Sequence, residues 1–170
     1  MIYNYIGYDG KIIPKTGVSS STFIDYPQNL KLGSRCYIGH HNFLEASNGL
    51  TIEDGCQITT FCTITTHSSH TSIRLYGYNY AGGDMIGYLK GKVHIGKFTF
   101  VGPHSTIMPG TKIGKGCLIS AYSYVQGDFP DFSIIAGNPA KVVGDTRDRD
   151  QLLLDQHPEL KKFYDAWAKS

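Results

Sequence analysis

An aliphatic residue returns at every sixth position over long stretches of this 170-residue chain. The second position of each six-residue unit is often glycine, and the fifth is mostly a small residue. A helix of about 3.6 residues per turn would scatter such a stripe around its axis, whereas short strands joined by repeated corners keep it on one side. The first positions are Leu32, Ile38, Leu44, Ile52, Ile58, Ile64, Ile95, Val101, Ile107, Ile113, Ile119 and Val125. The repeat predicts stacked coils of short strands, about 4.8 Å apart, whose first and fifth positions face inward.

The cysteines follow the same repeat. Cys36, Cys56, Cys62 and Cys117 all occupy the fifth position, and no two of them form a CxxC pair. Free cysteine behaves as a small apolar residue and is among the most frequently buried residue types. The spacing therefore predicts small core residues and argues against a disulfide or metal site.

The rhythm is interrupted twice. Eight residues separate Leu44 from Ile52, which suggests a bulge at a corner in the segment SNGL. Between Ile64 and Ile95 the rhythm is lost, and residues 68–92 are rich in glycine and tyrosine without an apolar period. Long irregular loops inside compact domains are usually functional or disordered. Because this one is aromatic, we expect a structured binding loop.

The two ends lie outside the repeat. Residues 1–31 are predicted to form an N-terminal cap, with a short strand in STFIDYP, because a solenoid needs cover for its terminal coil. Residues 144–170 lose the repeat, and their apolar spacing predicts a helical segment, with Pro158 in the first turn of a second short helix.

Charge and hydropathy narrow the function classes. The formal net charge is +2 and no run of four Lys or Arg occurs, so nothing predicts nucleic-acid binding. No segment approaches the roughly 20 apolar residues that a membrane span needs, and no apolar signal core begins the chain. These features predict a cytoplasmic protein without a membrane span.

Three features together resemble the hexapeptide-repeat acyltransferase family. They are the repeat itself, the segment TTH at 65–67, and GNPAK at 137–141 directly after the last repeats. The resemblance covers about residues 32–143. It implies an all-β fold, a left-handed parallel β-helix with a protruding loop at 68–92 and a short C-terminal α-helical segment. It also implies acetyl-CoA as acyl donor, no metal, and a homotrimer with sites between subunits.

The resemblance also assigns site residues. In sugar acetyltransferases of this class the catalytic base lies in a Thr-His segment just before the extended loop, which points to His67, with His70 as the alternative. An outward-facing neutral imidazole beside such a loop can accept a proton near neutral pH. Glu45 would hold a sugar hydroxyl or orient His67, although a corner carboxylate facing water remains open.

Further positions concern the ligands. Gly102 and Ala121 match family positions whose backbone meets the pantetheine arm of coenzyme A. Lys141 matches a basic residue that approaches the adenosine phosphates, with a solvated surface lysine as the alternative. The loop tyrosines suit stacking on pyranose rings, Tyr76 and Tyr78 foremost, followed by Tyr80 and Tyr88.

The implied reaction is transfer of an acetyl group to a hydroxyl of a sugar that is lipid-linked, nucleotide-linked or a polysaccharide precursor, as in lipopolysaccharide biosynthesis. An N-acetyltransferase of a nucleotide-linked amino sugar is the nearest alternative. A γ-carbonic-anhydrase-like metalloenzyme is more remote, since its His-x4-His spacing is absent and His67 and His70 are three residues apart. A non-catalytic solenoid scaffold is the last alternative.

Overall fold

The predicted fold class is confirmed. A computed structural model describes residues 2–170, which form a left-handed parallel β-helix whose coils wind around three sheets. The first sheet has eight strands, and the second and third have five each. Each coil contributes one short strand to every sheet, so parallel partners come from successive coils.

Within each sheet the parallel strands are arranged in the order in which they occur along the chain. In the first sheet the parallel strands are Gly17–Val18, Tyr37–Ile38, Gln57–Ile58, Phe100–Val101, Leu118–Ile119 and Ser133–Gly137. The second sheet contains Phe23–Asp25, Phe43–Glu45, Thr63–Ile64, Thr106–Ile107 and Tyr124–Val125. The third sheet contains Leu30–Leu32, Leu50–Ile52, Val93–Ile95, Lys112–Ile113 and Asp128–Phe129.

Antiparallel strands close the structure at three places. Ile2–Tyr3 pairs with Gly17–Val18 at one end of the first sheet, and Ala140–Asp145 pairs with Ser133–Gly137 at the other. His67–Ser68 pairs with Leu89–Lys90 at the base of the insertion. The helices are α1 (Ser72–Tyr76), α2 (Thr146–Gln156) and α3 (Lys161–Ala168), with 3-10 turns at Pro27–Asn29, Gly77–Asn79 and Pro158–Leu160. The insertion predicted to lack periodic structure thus contains the short helix α1.

Three edges separate the sheets. The first edge consists of the turns between the first and second sheets and includes residues 39–42, 102–105 and 120–123. The second edge lies between the second and third sheets and includes residues 46–49 and the insertion. The third edge, between the third and first sheets, includes residues 33–36, 96–99 and 130–132.

The solenoid begins one coil earlier than the sequence predicts. Gly17–Val18, Phe23–Asp25 and Leu30–Leu32 all pair in parallel with the next coil, so residues 17–31 are coil rather than cap. In the early strands of the third sheet two aliphatic residues face inward instead of one, as Leu50 and Ile52 do. The six-residue repeat is therefore displaced by two positions after each of these strands. The bulge predicted at SNGL is therefore wrong: an ordinary turn precedes Leu50, which is fully buried in a strand.

The fifth position needs a hydrogen-bond donor as well as a small side chain. The Cys56 thiol donates to the Gly96 carbonyl over 3.1 Å, and the Thr99 hydroxyl donates to the Gly114 carbonyl over 3.0 Å. All four cysteines are free and buried, which confirms their predicted place in the core. Burial raises the pKa of Cys56 to about 12 and that of Cys36 to about 11, so these thiols stay protonated at neutral pH.

Glycine at the second position allows successive coils to approach closely. A Cβ atom on Gly39 would lie 1.8 Å from the Thr59 carbonyl oxygen, and one on Gly102 would lie 2.6 Å from the Ala121 amide nitrogen. Both distances are far inside van der Waals contact. The glycine pattern is thus a requirement of coil stacking.

The C-terminal segment covers the third edge. The Trp167 ring of α3 lies 4.6 Å from the Phe98 ring and 5.9 Å from the Phe132 ring, measured between centroids. Leu154 of α2 is buried as well. No helix formed by residues 2–170 has the length and apolar character that crossing a membrane requires.

Candidate active site

His67 stands where the chain leaves the coil for the insertion. His67 and Ser68 pair with Lys90 and Leu89, and the Gly91 amide donates to the Thr66 carbonyl over 3.0 Å. The two ends of the insertion are therefore fastened together directly at the second edge. This pairing fixes the backbone of His67 although 25 loop residues follow it.

A buried carboxylate lies beneath His67. Glu45 belongs to the previous coil and is only 2% exposed. Its oxygens accept hydrogen bonds from the Ser47 amide (2.6 Å), the Thr66 amide (2.7 Å) and the Thr66 hydroxyl (2.9 Å). Burial by itself would raise the pKa of the Glu45 carboxyl, but these hydrogen bonds outweigh it and lower the pKa to about 2. Glu45 is therefore ionised at neutral pH.

Glu45 determines how the His67 ring is used. The Nδ1 atom of His67 lies 3.0 Å from Glu45 Oε2 and 3.2 Å from Ser47 Oγ. A lone pair on Nδ1 would face the carboxylate, so the proton of the neutral ring is favoured on Nδ1. The lone pair then resides on Nε2, which has no hydrogen-bond partner among residues 2–170. This arrangement suits an imidazole that accepts a proton from outside the chain.

Tyr88 covers one face of the imidazole. The His67 and Tyr88 rings are stacked, with centroids 5.6 Å apart and planes 3° from parallel. Tyr88 lies in the returning arm of the insertion, close to Lys90, the strand partner of His67. The stack restricts rotation of the His67 ring and leaves its rim half-exposed.

The other predicted residues of the insertion occupy different environments. His70 is exposed, and its Nδ1 contacts the Ser68 hydroxyl at 2.8 Å rather than a carboxylate. The Tyr76 hydroxyl accepts a hydrogen bond from the Ile86 amide over 3.3 Å, which braces the loop. Tyr78 is fully exposed. The structure thus places the carboxylate contact on His67 and not on His70.

The residues predicted to contact coenzyme A lie at another edge. Gly102 and Ala121 belong to the first edge, and Lys141 is exposed on the neighbouring last strand of the first sheet. His67 and Glu45 lie at the second edge, across the full width of the second sheet. Within one chain, the residues predicted to bind coenzyme A therefore lie near each other, and so do His67 and Glu45. The two groups are far apart from one another.

Sequence reasoning missed three contributors: Thr66, Ser47 and Tyr88 as the ring that stacks on His67. Thr66 and Ser47 supply the donors that hold Glu45, and both stand beside residues that had been singled out. The Ser47 amide donates to the carboxylate of Glu45 two residues before it, a local pattern typical of Asp and Asn but not of Glu, so the spacing gave no signal for this contact. The stacking of Tyr88 depends on the path of the insertion, which the sequence does not display.

Across the described range 2–170, no group of three or more His, Cys, Asp or Glu residues has the arrangement of a metal site.

Comparison with known proteins places this geometry in context. Residues 92–127 match the family model of the bacterial transferase hexapeptide (six repeats). A putative acetyltransferase of Staphylococcus aureus strain Mu50 is 41% identical over 120 residues, which are 70% of this chain and 56% of that protein. The chain belongs to the hexapeptide-repeat acyltransferase family. It spans about half or less of the length of the first curated family members that it matches.

Solved structures of two acyltransferases share the architecture. Galactoside acetyltransferase in complex with coenzyme A is 25% identical, with a TM-score of 0.54 over 81% of this chain and 68% of that chain. AntD, an N-acyltransferase from Bacillus cereus in complex with dTDP and 3-hydroxybutyryl-CoA, is 18% identical, with a TM-score of 0.64 over 87% of this chain and 89% of that chain. The second likeness concerns the fold alone.

Proposed function

We propose that this protein transfers an acetyl group from acetyl-CoA to a hydroxyl of a sugar, with His67 as general base. The observation that carries the proposal is the buried, ionised Glu45 held against His67 Nδ1, which leaves Nε2 free at the base of the insertion. Family membership supports the acyl donor, and the galactoside acetyltransferase with bound coenzyme A supports both ligand classes.

The proposed step needs no covalent enzyme intermediate. His67 Nε2 removes the proton from the acceptor hydroxyl as its oxygen attacks the thioester carbonyl carbon. The carbon–sulfur bond then breaks, and the proton passes from His67 to the leaving coenzyme A sulfur. Backbone N–H groups at a coil edge would stabilise the developing oxyanion. Glu45 stabilises the imidazolium that forms, because its negative charge lies 3.0 Å from Nδ1.

The decisive test compares the two neighbouring histidines. His67→Ala should lower kcat about 10²–10⁴-fold, the usual contribution of a general base. His70→Ala is the matched control, since it removes the same side chain three residues away without touching Glu45. Release of the coenzyme A thiol is measured with acetyl-CoA and a panel of sugars.

Three results would count against the assignment. A loss of less than tenfold in His67→Ala would reject His67 as the base. A larger loss in His70→Ala would move the role to His70. Transfer to amino sugars with little dependence on His67 would favour the N-acetyltransferase alternative, because an amine is more nucleophilic than a hydroxyl.

We further propose that the active form is a homotrimer with sites between subunits. Closed threefold assembly lets the second edge of one subunit meet the first edge of another, so that His67 faces Gly102, Ala121 and Lys141 of the adjacent chain. The exposed apolar side chains of the insertion, Leu75, Tyr78 and Ile86, support this arrangement because nothing in residues 2–170 covers them.

Mixing two inactive variants tests the shared site. His67→Ala and Lys141→Glu, each impaired alone, are dissociated and reassembled in equal amounts. If each site takes His67 from one subunit and Lys141 from the next, about a quarter of the sites regain both residues and activity returns to that extent. If both residues come from one subunit, mixing restores nothing, and a stable active monomer in sedimentation would likewise reject the proposal.

The acceptor and the compartment are part of the same proposal. We place the reaction in the assembly of bacterial surface polysaccharides, such as lipopolysaccharide, where sugars carry lipid or nucleotide groups. A cytoplasmic location agrees with the four free thiols, because disulfides are common in oxidising compartments.

A further inference from the structure

A groove on the third sheet begins at the wall of the proposed active site. It encloses about 390 Å³ between the turn Pro27–Asn29, the second-edge turn over 46–49 and the strand Leu50–Ile52. Ser47 belongs to both places, because it lines the groove while its Oγ lies 3.2 Å from His67 Nδ1. The groove therefore reaches the Nδ1 side of the His67 ring through Ser47.

The charge of this groove has one sign. Lys31 and Lys92 are its only charged lining residues, and neither lies within 4 Å of a carboxylate in the described chain. The remaining polar lining consists of neutral amides and hydroxyls, among them Gln28, Asn29 and Asn48. Lysine ammonium groups surrounded by neutral donors are a common means of binding phosphate.

The backbone fixes both lysines beside the groove. A Cβ on Gly49 would lie 3.3 Å from Lys92 Cγ, so the lysine stem crosses directly over this glycine. The Val93 amide, one residue further, donates to the Gly49 carbonyl over 3.0 Å. Lys31 stands opposite Thr51 in the third sheet. Two cationic side chains from distant parts of the chain thus converge on one surface.

We infer that this groove binds a phosphoryl group of the acceptor, and hence that the acceptor is a phosphate-linked sugar. The shared chemistry is a sugar bearing a phosphate or a diphosphate, either as a simple sugar phosphate or as a nucleoside diphosphate sugar. The claim that the phosphate belongs to a sugar acceptor rests on the proposed function. The phosphate site rests on the groove alone.

The first arm of the test measures binding without catalysis. The thermal midpoint of the wild-type protein is recorded with inorganic pyrophosphate at constant ionic strength. The double variant Lys31→Met/Lys92→Met keeps the aliphatic stems and removes both charges. Lys112→Met is the matched control, since Lys112 is exposed on the same sheet outside the groove. We expect pyrophosphate to raise the midpoint of wild type and Lys112→Met, and not that of the double variant. No rise in wild type, or an equal rise in all three proteins, would overturn the phosphate site.

The second arm measures turnover with a sugar phosphate, a nucleoside diphosphate sugar and the corresponding unphosphorylated sugar. Losing two charge-assisted contacts should raise KM for the phosphorylated acceptors roughly ten- to a hundredfold in the double variant. The KM for acetyl-CoA should change less than about twofold, and the acceptor with the larger effect identifies the source of the phosphate. A selective rise in KM for acetyl-CoA would assign the groove to the donor and overturn the inference. If pyrophosphate binds through the lysines but no sugar is acetylated, the proposed function fails while the site remains.

Discussion

The third and first edges carry rings at the same repeat position, yet only one of them is covered. At both edges the residue before the inward fifth position has left-handed backbone geometry, with φ of 55° at Phe98 and 54° at Phe61. This geometry directs the side chain out of the coil. At the third edge α3 packs against the rings. Trp167 contacts both Phe98 and Phe132, which leaves Phe132 8% exposed and Phe98 38% exposed. At the first edge no element of residues 2–170 does so.

The uncovered rings of the first edge form a continuous stack. His41, Phe61, His104 and Tyr122 follow each other with centroids 5.1, 5.0 and 4.8 Å apart. Phe61 is 51% exposed and Tyr122 is 71% exposed. The spacing repeats the rise between coils, so the stack is a consequence of the solenoid. The difference between the edges teaches that the repeat itself places these rings outside the coils, and that their cover comes from a segment outside the repeat.

Removing the cover should have the largest effect on stability. Trp167→Ala deletes the ring that packs on Phe98 and Phe132, and we expect the free energy of unfolding to fall by about 2–4 kcal/mol. Chemical denaturation followed by circular dichroism measures the change.

Tyr122→Ala is the counterpart at the first edge. Since Tyr122 is mostly exposed in one chain, its loss should change the unfolding free energy of the separated monomer by about 0.5 kcal/mol or less. If the two variants were equally destabilised in monomers, the contrast between a covered and a bare edge would be wrong.

The second edge offers a contrast that depends on pH. Glu45 has a pKa of about 2 in the folded chain against an ordinary value near 4.5. A depressed carboxyl pKa contributes stability that is complete above the unfolded value and is lost as pH falls toward the folded value. Between pH 5 and pH 2 we therefore expect a loss of about 3 kcal/mol from this group. The apolar packing of Trp167 contributes no such dependence.

Denaturation curves across this range, compared between wild type and Glu45→Gln, isolate the contribution. The glutamine variant should be less stable at neutral pH, because its side-chain amide group would face the Thr66 N–H donor. Its free energy of unfolding should also change less as the pH falls. Parallel pH curves for the two proteins would show that Glu45 does not hold the second edge as described.

Much of the fold could be predicted from the repeat. A period of six, with aliphatic, glycine and small positions, determines the coil, and the inward cysteines follow from it. The first coil escaped prediction because Leu30 and Leu32 both turn inward and displace the phase by two residues. A search for one inward aliphatic residue per strand does not detect a strand in which two aliphatic residues face inward.

The site was predictable only in part. His67 could be proposed from its position before the insertion, and the contact with Glu45 was one of the alternatives for that carboxylate. The stacking of Tyr88 on His67 could not be proposed, because it depends on how 25 loop residues return to their starting point. The separation of Lys141 from His67 likewise depends on the edge at which each residue lies. That edge is determined by the number of residues in the preceding coils, and the local sequence does not show it.

The hydrogen-bonded closure at the base of the insertion also bears on how this kind of protein can diversify. Because His67–Ser68 and Leu89–Lys90 are joined before the chain rejoins the stack, the length and composition of what lies beyond them do not alter the register of any coil. The residues between these two strands can therefore be exchanged as one segment. A new specificity can be installed there by exchanging one segment, while the coils and the contact between Glu45 and His67 stay the same.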